Sequence, residues 1–368
     1  MVKRNILLNP GPATTTDTVK EALVVPDICP REEEFGNLMQ EIRRDLVKIA
    51  GGDESYTSIL FAGSGTAAMD SIISSVVPPN KKILILINGA YGIRFAEIAR
   101  AYNIDVVELE FEFGKKIELD QIEPILIKDK EIACIAVIHH ETTVGILNPI
   151  KQIGAIAKKF EKVFIVDTIS SFAGVPINIK KFNIDFMMST SNKCIQGMAG
   201  VAFVICKKET LERLKYFKAR NYYLDLYAQY EYLEKNNQTR FTPPVQIIYA
   251  LKEAIKEFFE EGSENRFKRY RENYRILKDG LKKFNFKFLM NEDVKESNIL
   301  TTIYYLDYPN FDFDTLHDKL YERGFTIYPG KISKLNTFRI AVMGAIYPED
   351  IRNFLNNLEE VLKEMEVI

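Results

Sequence analysis

One lysine is set apart by its company. Ser189-Thr190-Ser191-Asn192-Lys193-Cys194-Ile195-Gln196-Gly197-Met198-Ala199-Gly200 places a single amine among small and polar residues. It lies between the apolar runs Phe186-Met187-Met188 and Val201-Ala202-Phe203-Val204-Ile205. An ammonium between buried strands is costly unless it is paired or put to chemical use. A neutral lysine amine is a nucleophile that condenses with an aldehyde to a Schiff base. The plainer alternative is a stem packed in a loop with its head in water.

Four further stretches, each following an apolar run, bear on that choice. Ala62-Gly63-Ser64-Gly65-Thr66-Ala67-Ala68 opens a helix, where free backbone N–H groups and the hydroxyls of Ser64 and Thr66 suit a phosphate. It also matches G-x-G-x-x-A, but a dinucleotide site wants an acid at the end of the next strand, and that strand ends in Asn88-Gly89-Ala90. Asp167, after Val163-Phe164-Ile165-Val166, offers a carboxylate for a protonated pyridine nitrogen or, equally, a helix cap for the residues that follow. Tyr91, in the tight turn Asn88-Gly89-Ala90-Tyr91-Gly92, has a ring that stacks on a planar ligand or simply packs. His139-His140-Glu141-Thr142-Thr143 supplies a ring face and hydroxyls. Its paired histidines point to opposite faces of a strand and make a poor metal site. Phosphate, pyridine ring and aldehyde occur together in pyridoxal phosphate.

The elements that must position these residues alternate. Strands are expected at 58–61, 83–87, 105–109, 134–138, 163–166, 186–188 and 201–206, with helices at 35–50, 66–76, 94–102 and 150–160. Continuous β-branched strands separated by helices imply a mostly parallel sheet covered on both faces, with functional loops at the strands' carboxyl ends. After Pro243-Pro244 the pattern changes to long charged helices, 245–261 and 264–284. An α+β segment follows, with strands at 299–305 and 337–342 and helices at 314–323 and 348–365. The expected organisation is an N-terminal segment 1–20, a large α/β domain 21–255 and a small α+β domain 256–368.

Forty-nine basic and fifty-one acidic residues in 368 give a formal charge of −2, without the footprint of a nucleic-acid or membrane-surface binder. The apolar run after Met1-Val2-Lys3-Arg4 is too short for a signal peptide, and no run approaches a membrane span. Four scattered cysteines and three histidines give no zinc or disulfide pattern. A cytoplasmic protein is expected.

Taken together the segments resemble aminotransferase class V, within the fold type I pyridoxal-phosphate enzymes. Within that class the likeness is strongest to the 2-aminoethylphosphonate–pyruvate transaminases. It runs through Leu7-Leu8-Asn9-Pro10-Gly11-Pro12, Glu41-Ile42-Arg43-Arg44, Ser64-Gly65-Thr66, Glu141-Thr142-Thr143, Ser191-Asn192-Lys193-Cys194-Ile195-Gln196-Gly197 and Phe338-Arg339-Ile340-Ala341. The resemblance implies pyridoxal 5'-phosphate as cofactor, linked to Lys193, with Asp167 on the pyridine nitrogen, Tyr91 stacked on the ring and Thr142 at the ring hydroxyl. Gly65 and Thr66, with Ser64 and Ser191, would hold the phosphate. Thr242, in Thr239-Arg240-Phe241-Thr242-Pro243, would reach the phosphate of the neighbouring subunit in a homodimer with shared sites. Arg339 would bind the substrate's anionic group, in place of the surface ion pair it would otherwise suggest. No metal is implied.

The implied reaction moves the amino group of 2-aminoethylphosphonate to pyruvate, giving phosphonoacetaldehyde and L-alanine. Cys29-Pro30-Arg31-Glu32-Glu33-Glu34, His140 and Val144 depart from the family pattern near where the amino donor is chosen. An alanine– or serine–glyoxylate transaminase on the same scaffold is the alternative. A cysteine desulfurase would need a nucleophilic cysteine in the late loop, and Gly330-Lys331-Ile332-Ser333-Lys334-Leu335 has none. A non-catalytic binding protein would lack the Lys193, Asp167 and Arg339 set.

Overall fold

The computed structural model describes residues 5–290, 296–332 and 335–368. Met1–Arg4, on which the signal-peptide reading drew, lie outside the described residues, as do Ser333 and Lys334 of the late loop. Seven strands form the central sheet: β1 (Tyr56–Ala62), β2 (Lys82–Ile87), β3 (Asp105–Glu110), β4 (Ile132–Ile138), β5 (Val163–Asp167), β6 (Phe186–Thr190) and β7 (Val201–Lys207). All except the edge strand β3 are buried along nearly their whole length, which is why their runs are apolar without alternation. Their spatial order is β1-β7-β6-β5-β4-β2-β3. β7 runs antiparallel to both neighbours, and the remaining pairs are parallel.

Six strands therefore point one way. The order reverses at β2, which has β3 on one side and β4 on the other, so a crevice opens at the carboxyl ends there. Residues Gly63–Thr66, Asn88–Tyr91, His139–Thr142, Asp167 and the loop after β6 all arrive at that edge.

Helix α1 (Gly65–Val76) follows β1, and α2 (Ala90–Ala101) follows β2. The latter starts four residues before the expected Arg94, so Tyr91 lies in its first turn rather than in a separate tight turn. No neighbour in sequence caps it. The Glu141 carboxylate does so from fifty residues away, accepting from the N–H groups of Tyr91 and Gly92 at 3.1 and 3.3 Å.

Helix α3 (Val245–Glu261) buries Ile248, Leu251, Ile255 and Phe258 in the core of the large sheet. Helix α4 (Ser263–Lys283) gives Tyr274, Leu277 and Leu281 to a second core. That core is built with β8 (Leu300–Tyr304), β9 (Tyr328–Pro329) and β10 (Thr337–Ala341), which pair antiparallel in the order β8-β10-β9. Position 256, the expected domain division, falls inside α3. Gly262, at φ +80° between the two helices, is where we propose that the domains divide. Among the described residues no helix is long and apolar enough to cross a membrane.

The first turns of α4 reach back to the loop after β6. The buried guanidinium of Arg266 is paired with Glu261 at 2.6 Å and donates to the Cys194 carbonyl at 3.1 Å. The Tyr270 hydroxyl accepts from the Gln196 amide at 2.8 Å and from the Gly344 N–H at 2.9 Å. Gln196 itself sits at φ +68°, a conformation a non-glycine residue holds only when its surroundings impose it. Tyr270→Phe leaves both donors buried without a partner and is expected to destabilise the protein by about 1–3 kcal/mol. Urea unfolding measures it, and an unchanged midpoint would show that this link carries no stability.

Candidate active site

Lys193 follows β6 in a loop closed by its own backbone, with Gln196 N–H donating to the Lys193 carbonyl and Gly197 N–H to that of Ser191, both at 2.8 Å. Its amine donates to the Pro10 carbonyl. The N-terminal segment passes directly over it. A Cβ on Gly11 would come within 2.6 Å of Lys193 Cδ and Cε, and φ there is +116°, so both space and backbone demand glycine. Desolvation lowers the pKa of the Lys193 ammonium, and the positive charge of Arg339 adds to that; Tyr91, Cys194 and Asp167 oppose it. The neutral, nucleophilic form is thereby favoured.

Asp167 ends β5, buried, with one oxygen accepting from Ile169 N–H at 2.7 Å. It serves as a local cap while its side chain also lines a cavity of about 160 Å³ with Lys193. Burial pushes its pKa up to about 7; the Ile169 N–H opposes the rise and the Glu141 charge adds to it. A cationic nitrogen lodged beside it would reverse that rise.

The same cavity gathers Ser64, Gly65, Thr66, Tyr91 and Thr142. Ser64 is the N-cap of α1 and makes no side-chain capping bond, so its hydroxyl is not spent on its own helix. A Cβ on Gly65 would stand 2.8 Å from Ile169 Cδ1, so the helix start is brought close to the strand end that carries Asp167.

Three of the expected residues lie apart from this lining. The Ser191 hydroxyl donates to the Met198 and Val201 carbonyls, while Thr190 and Asn192 face the cavity. Thr242 is exposed on the loop before α3. Arg339, on β10, is buried, with Nε donating to the Pro329 carbonyl at 3.1 Å and Nη1 to that of Thr142 at 3.3 Å. Among the described residues no carboxylate pairs with it.

Two groups went unassigned in the sequence. His140, noted there within a stretch offering a ring face and as a departure from the family pattern but given no role, lines the cavity. Its Nδ1 meets the Ser170 carbonyl at 3.0 Å and so carries the proton, which leaves Nε2 as a buried acceptor without a partner. Burial pushes its pKa down to about 4, so the ring is neutral. The neighbouring His139 turns elsewhere, with Nδ1 2.9 Å from the Ser171 hydroxyl. Glu141, fully buried, accepts from Thr143 N–H at 3.0 Å and its hydroxyl at 2.5 Å as well as from α2, and so ties Thr143 to the helix turn that carries Tyr91. A lone acid beside a Thr-Thr pair gives no local sign of capping a helix so far off in sequence.

The comparisons accord with this geometry. The model of the family described as aminotransferase class-V matches residues 19–340, and the chain belongs to that family. It is 44% identical, over 96% of its length and 97% of the other's, to a 2-aminoethylphosphonate–pyruvate transaminase of Bacillus cytotoxicus. It is 41% identical over 97% of its length to a bifunctional phosphonoacetaldehyde hydrolase/aminoethylphosphonate transaminase of Clostridioides difficile, of which it spans 56%. A crystal structure of an alanine–glyoxylate aminotransferase from Nostoc sp. superposes with a TM-score of 0.91, over 98% of this chain and 96% of that one, at 26% identity.

The cofactor of the family is pyridoxal 5'-phosphate, and the residues present fit it. Helix N–H groups and hydroxyls would suit a phosphate, a buried carboxyl a ring nitrogen, and a desolvated amine an aldehyde.

The Asp167 shift makes a prediction about the protein freed of cofactor. Between pH 4 and 7 the folded state holds a proton that the unfolded state has released, so stability falls as pH rises. The loss from this group is at most about 4 kcal/mol. Asp167→Asn removes the titration. The apo variant is expected to melt increasingly above apo wild type as pH goes from 4.5 to 8, and a difference independent of pH would refute the buried-carboxyl account.

Proposed function

We propose that this chain transfers the amino group of 2-aminoethylphosphonate to pyruvate, giving phosphonoacetaldehyde and L-alanine. The observation that carries this is Arg339, a buried guanidinium beside the lysine cavity with no carboxylate partner among the described residues. It is built to receive an anion from outside the chain. Near end-to-end similarity to enzymes named for this reaction supplies the identity of the donor.

When bound, pyridoxal 5'-phosphate supplies an aldehyde that takes up the donor's amino group and a ring that withdraws electrons from its carbon. Lys193 Nζ would take a proton from the donor's carbon and later return it, acting as base and then acid. Asp167 would hold the ring nitrogen protonated, and the charge it met would lower its own raised pKa. Tyr91 would cover a ring face and Thr142 would donate to the ring hydroxyl, while Ser64, Gly65, Thr66 and the loop at Ser191 would hold the phosphate. In a homodimer, Thr242 of the partner subunit reaches the same phosphate, which accounts for an exposed threonine on an otherwise packed loop. Arg339 takes the phosphonate in one half of the cycle and the carboxylate of pyruvate in the other. The coupling of this activity to an aldehyde hydrolase in the Clostridioides difficile relative supports a reaction running toward phosphonoacetaldehyde. The place of action is the cytoplasm.

The first test is a visible spectrum of the purified holoenzyme during addition of 2-aminoethylphosphonate without pyruvate. Bleaching of the yellow band supports the donor; bleaching only by alanine or serine moves the function to a glyoxylate transaminase of the same scaffold. Lys193→Ala is expected to lower turnover by roughly 10⁴-fold while leaving cofactor that dialysis removes. Normal turnover in that variant would overturn the assignment of the amine.

A further inference from the structure

Beside Arg339 lies a second cation. Lys331 follows β9 on the hairpin that leads to β10. Gly330 N–H donates to the Thr337 carbonyl at 2.7 Å, and Arg339 Nε donates to the Pro329 carbonyl, so the end of β9 that leads into Lys331 is held to the strand that carries Arg339. The Lys331 ammonium stands 3.9 Å from the centroid of the Tyr91 ring. Tyr91 and Thr142 share the wall of the Lys193 cavity, and Arg339 Nη1 is bonded to the Thr142 carbonyl. Among the described residues neither cation has a carboxylate partner. The Tyr91 phenol answers to the arrangement: burial would raise its pKa, but the charges of Lys331 and Lys193, together with hydrogen bonding to Lys331 and Thr142, lower it. A tyrosine face is a resting place for an ammonium, not a neutralising partner.

The excess of positive charge on this side of the cavity matches one half of the proposed reaction better than the other. A phosphonate, like a phosphate monoester, carries close to two negative charges and three acceptor oxygens near neutral pH. Pyruvate and alanine present one carboxylate, which a single guanidinium engages with two parallel bonds. We propose that Lys331 is a specificity-determining residue that leaves the Tyr91 ring to bind the phosphonate beside Arg339, whereas Arg339 alone serves the carboxylate. This rests on the assignment of 2-aminoethylphosphonate as donor. Lys331 touches the substrate's remote group only and takes no part in proton transfer.

The test compares half-reactions. Holoenzyme of wild type, Lys331→Gln and Lys331→Arg is mixed with 2-aminoethylphosphonate or with L-alanine, and the bleaching of the visible band is followed by stopped flow. The expected result is that the ratio of second-order rate constants, phosphonate over alanine, falls about 10- to 100-fold in Lys331→Gln and is largely restored in Lys331→Arg. Calorimetric titration with phosphonoacetate, which is not turned over, should weaken by the same factor in Lys331→Gln. An unchanged ratio overturns the proposal, whether both rates stay as they were or fall together, because the lysine would then act only by packing on Tyr91. If wild type itself ignores 2-aminoethylphosphonate and reacts with alanine or serine, the donor assignment fails first, and this is seen without any variant.

Discussion

The structure depends on keeping one amine dry and unpaired. An ammonium in a protein interior draws a carboxylate to itself if the fold permits one, and a paired Lys193 would be neither neutral nor free to react. Here its hydrogen-bond partner is the backbone carbonyl of Pro10, and the nearby carboxyls are engaged elsewhere. Asp167 is bonded to Ile169 N–H, and Glu141 is spent on the start of α2 and on Thr143. The loop that carries Lys193 is in turn held by Arg266 and Tyr270 of α4, so the amine of the large sheet is positioned by the first helix beyond Gly262.

The site is thus assembled from charges that do not cancel. Arg339 and Lys331 come from β10 and from just beyond the end of β9, while Glu141 is engaged by the start of α2 and by Thr143, and Asp167 by Ile169 N–H. Leaving cations uncompensated lowers stability in the empty state, and the deficit is recovered only when an anion arrives. A site arranged in this way reads ligand charge before it reads ligand shape.

Much of this was legible in the chain. The strands were found because buried parallel strands read as unbroken apolar runs, and residues at their carboxyl ends face one crevice. Lys193, Asp167, Tyr91, Thr142 and the Ser64–Thr66 turn fall at such ends and line one cavity. What sequence could not give was tertiary capping and tertiary competition. The early start of α2 is paid for by Glu141, a residue beyond the next strand in the sheet. The Ser191 hydroxyl, expected at the phosphate, is taken by two carbonyls of its own loop. His140 was given no role, because its unbonded Nε2 exists only once the Ser170 carbonyl has engaged the other nitrogen. These outcomes turn on partners many residues away, where local patterning carries no information.

The segment that roofs Lys193 has a further bearing on how the protein comes into being. Residues 6–7 pair with Phe325–Thr326, Leu8 accepts from Ala341 N–H, Ala13 donates to Asn192, and Thr14 accepts from Ala345. Most of these partners belong to the last fifty or so residues of the chain. Residues 6–14 are made well before residues 325–345, so the large sheet can bury its core while these strand pairings are still unmade. The Pro10–Lys193 and Ala13–Asn192 bonds tie the same segment to the loop after β6, so the cover over the amine is fastened both to that loop and to chain about three hundred residues away.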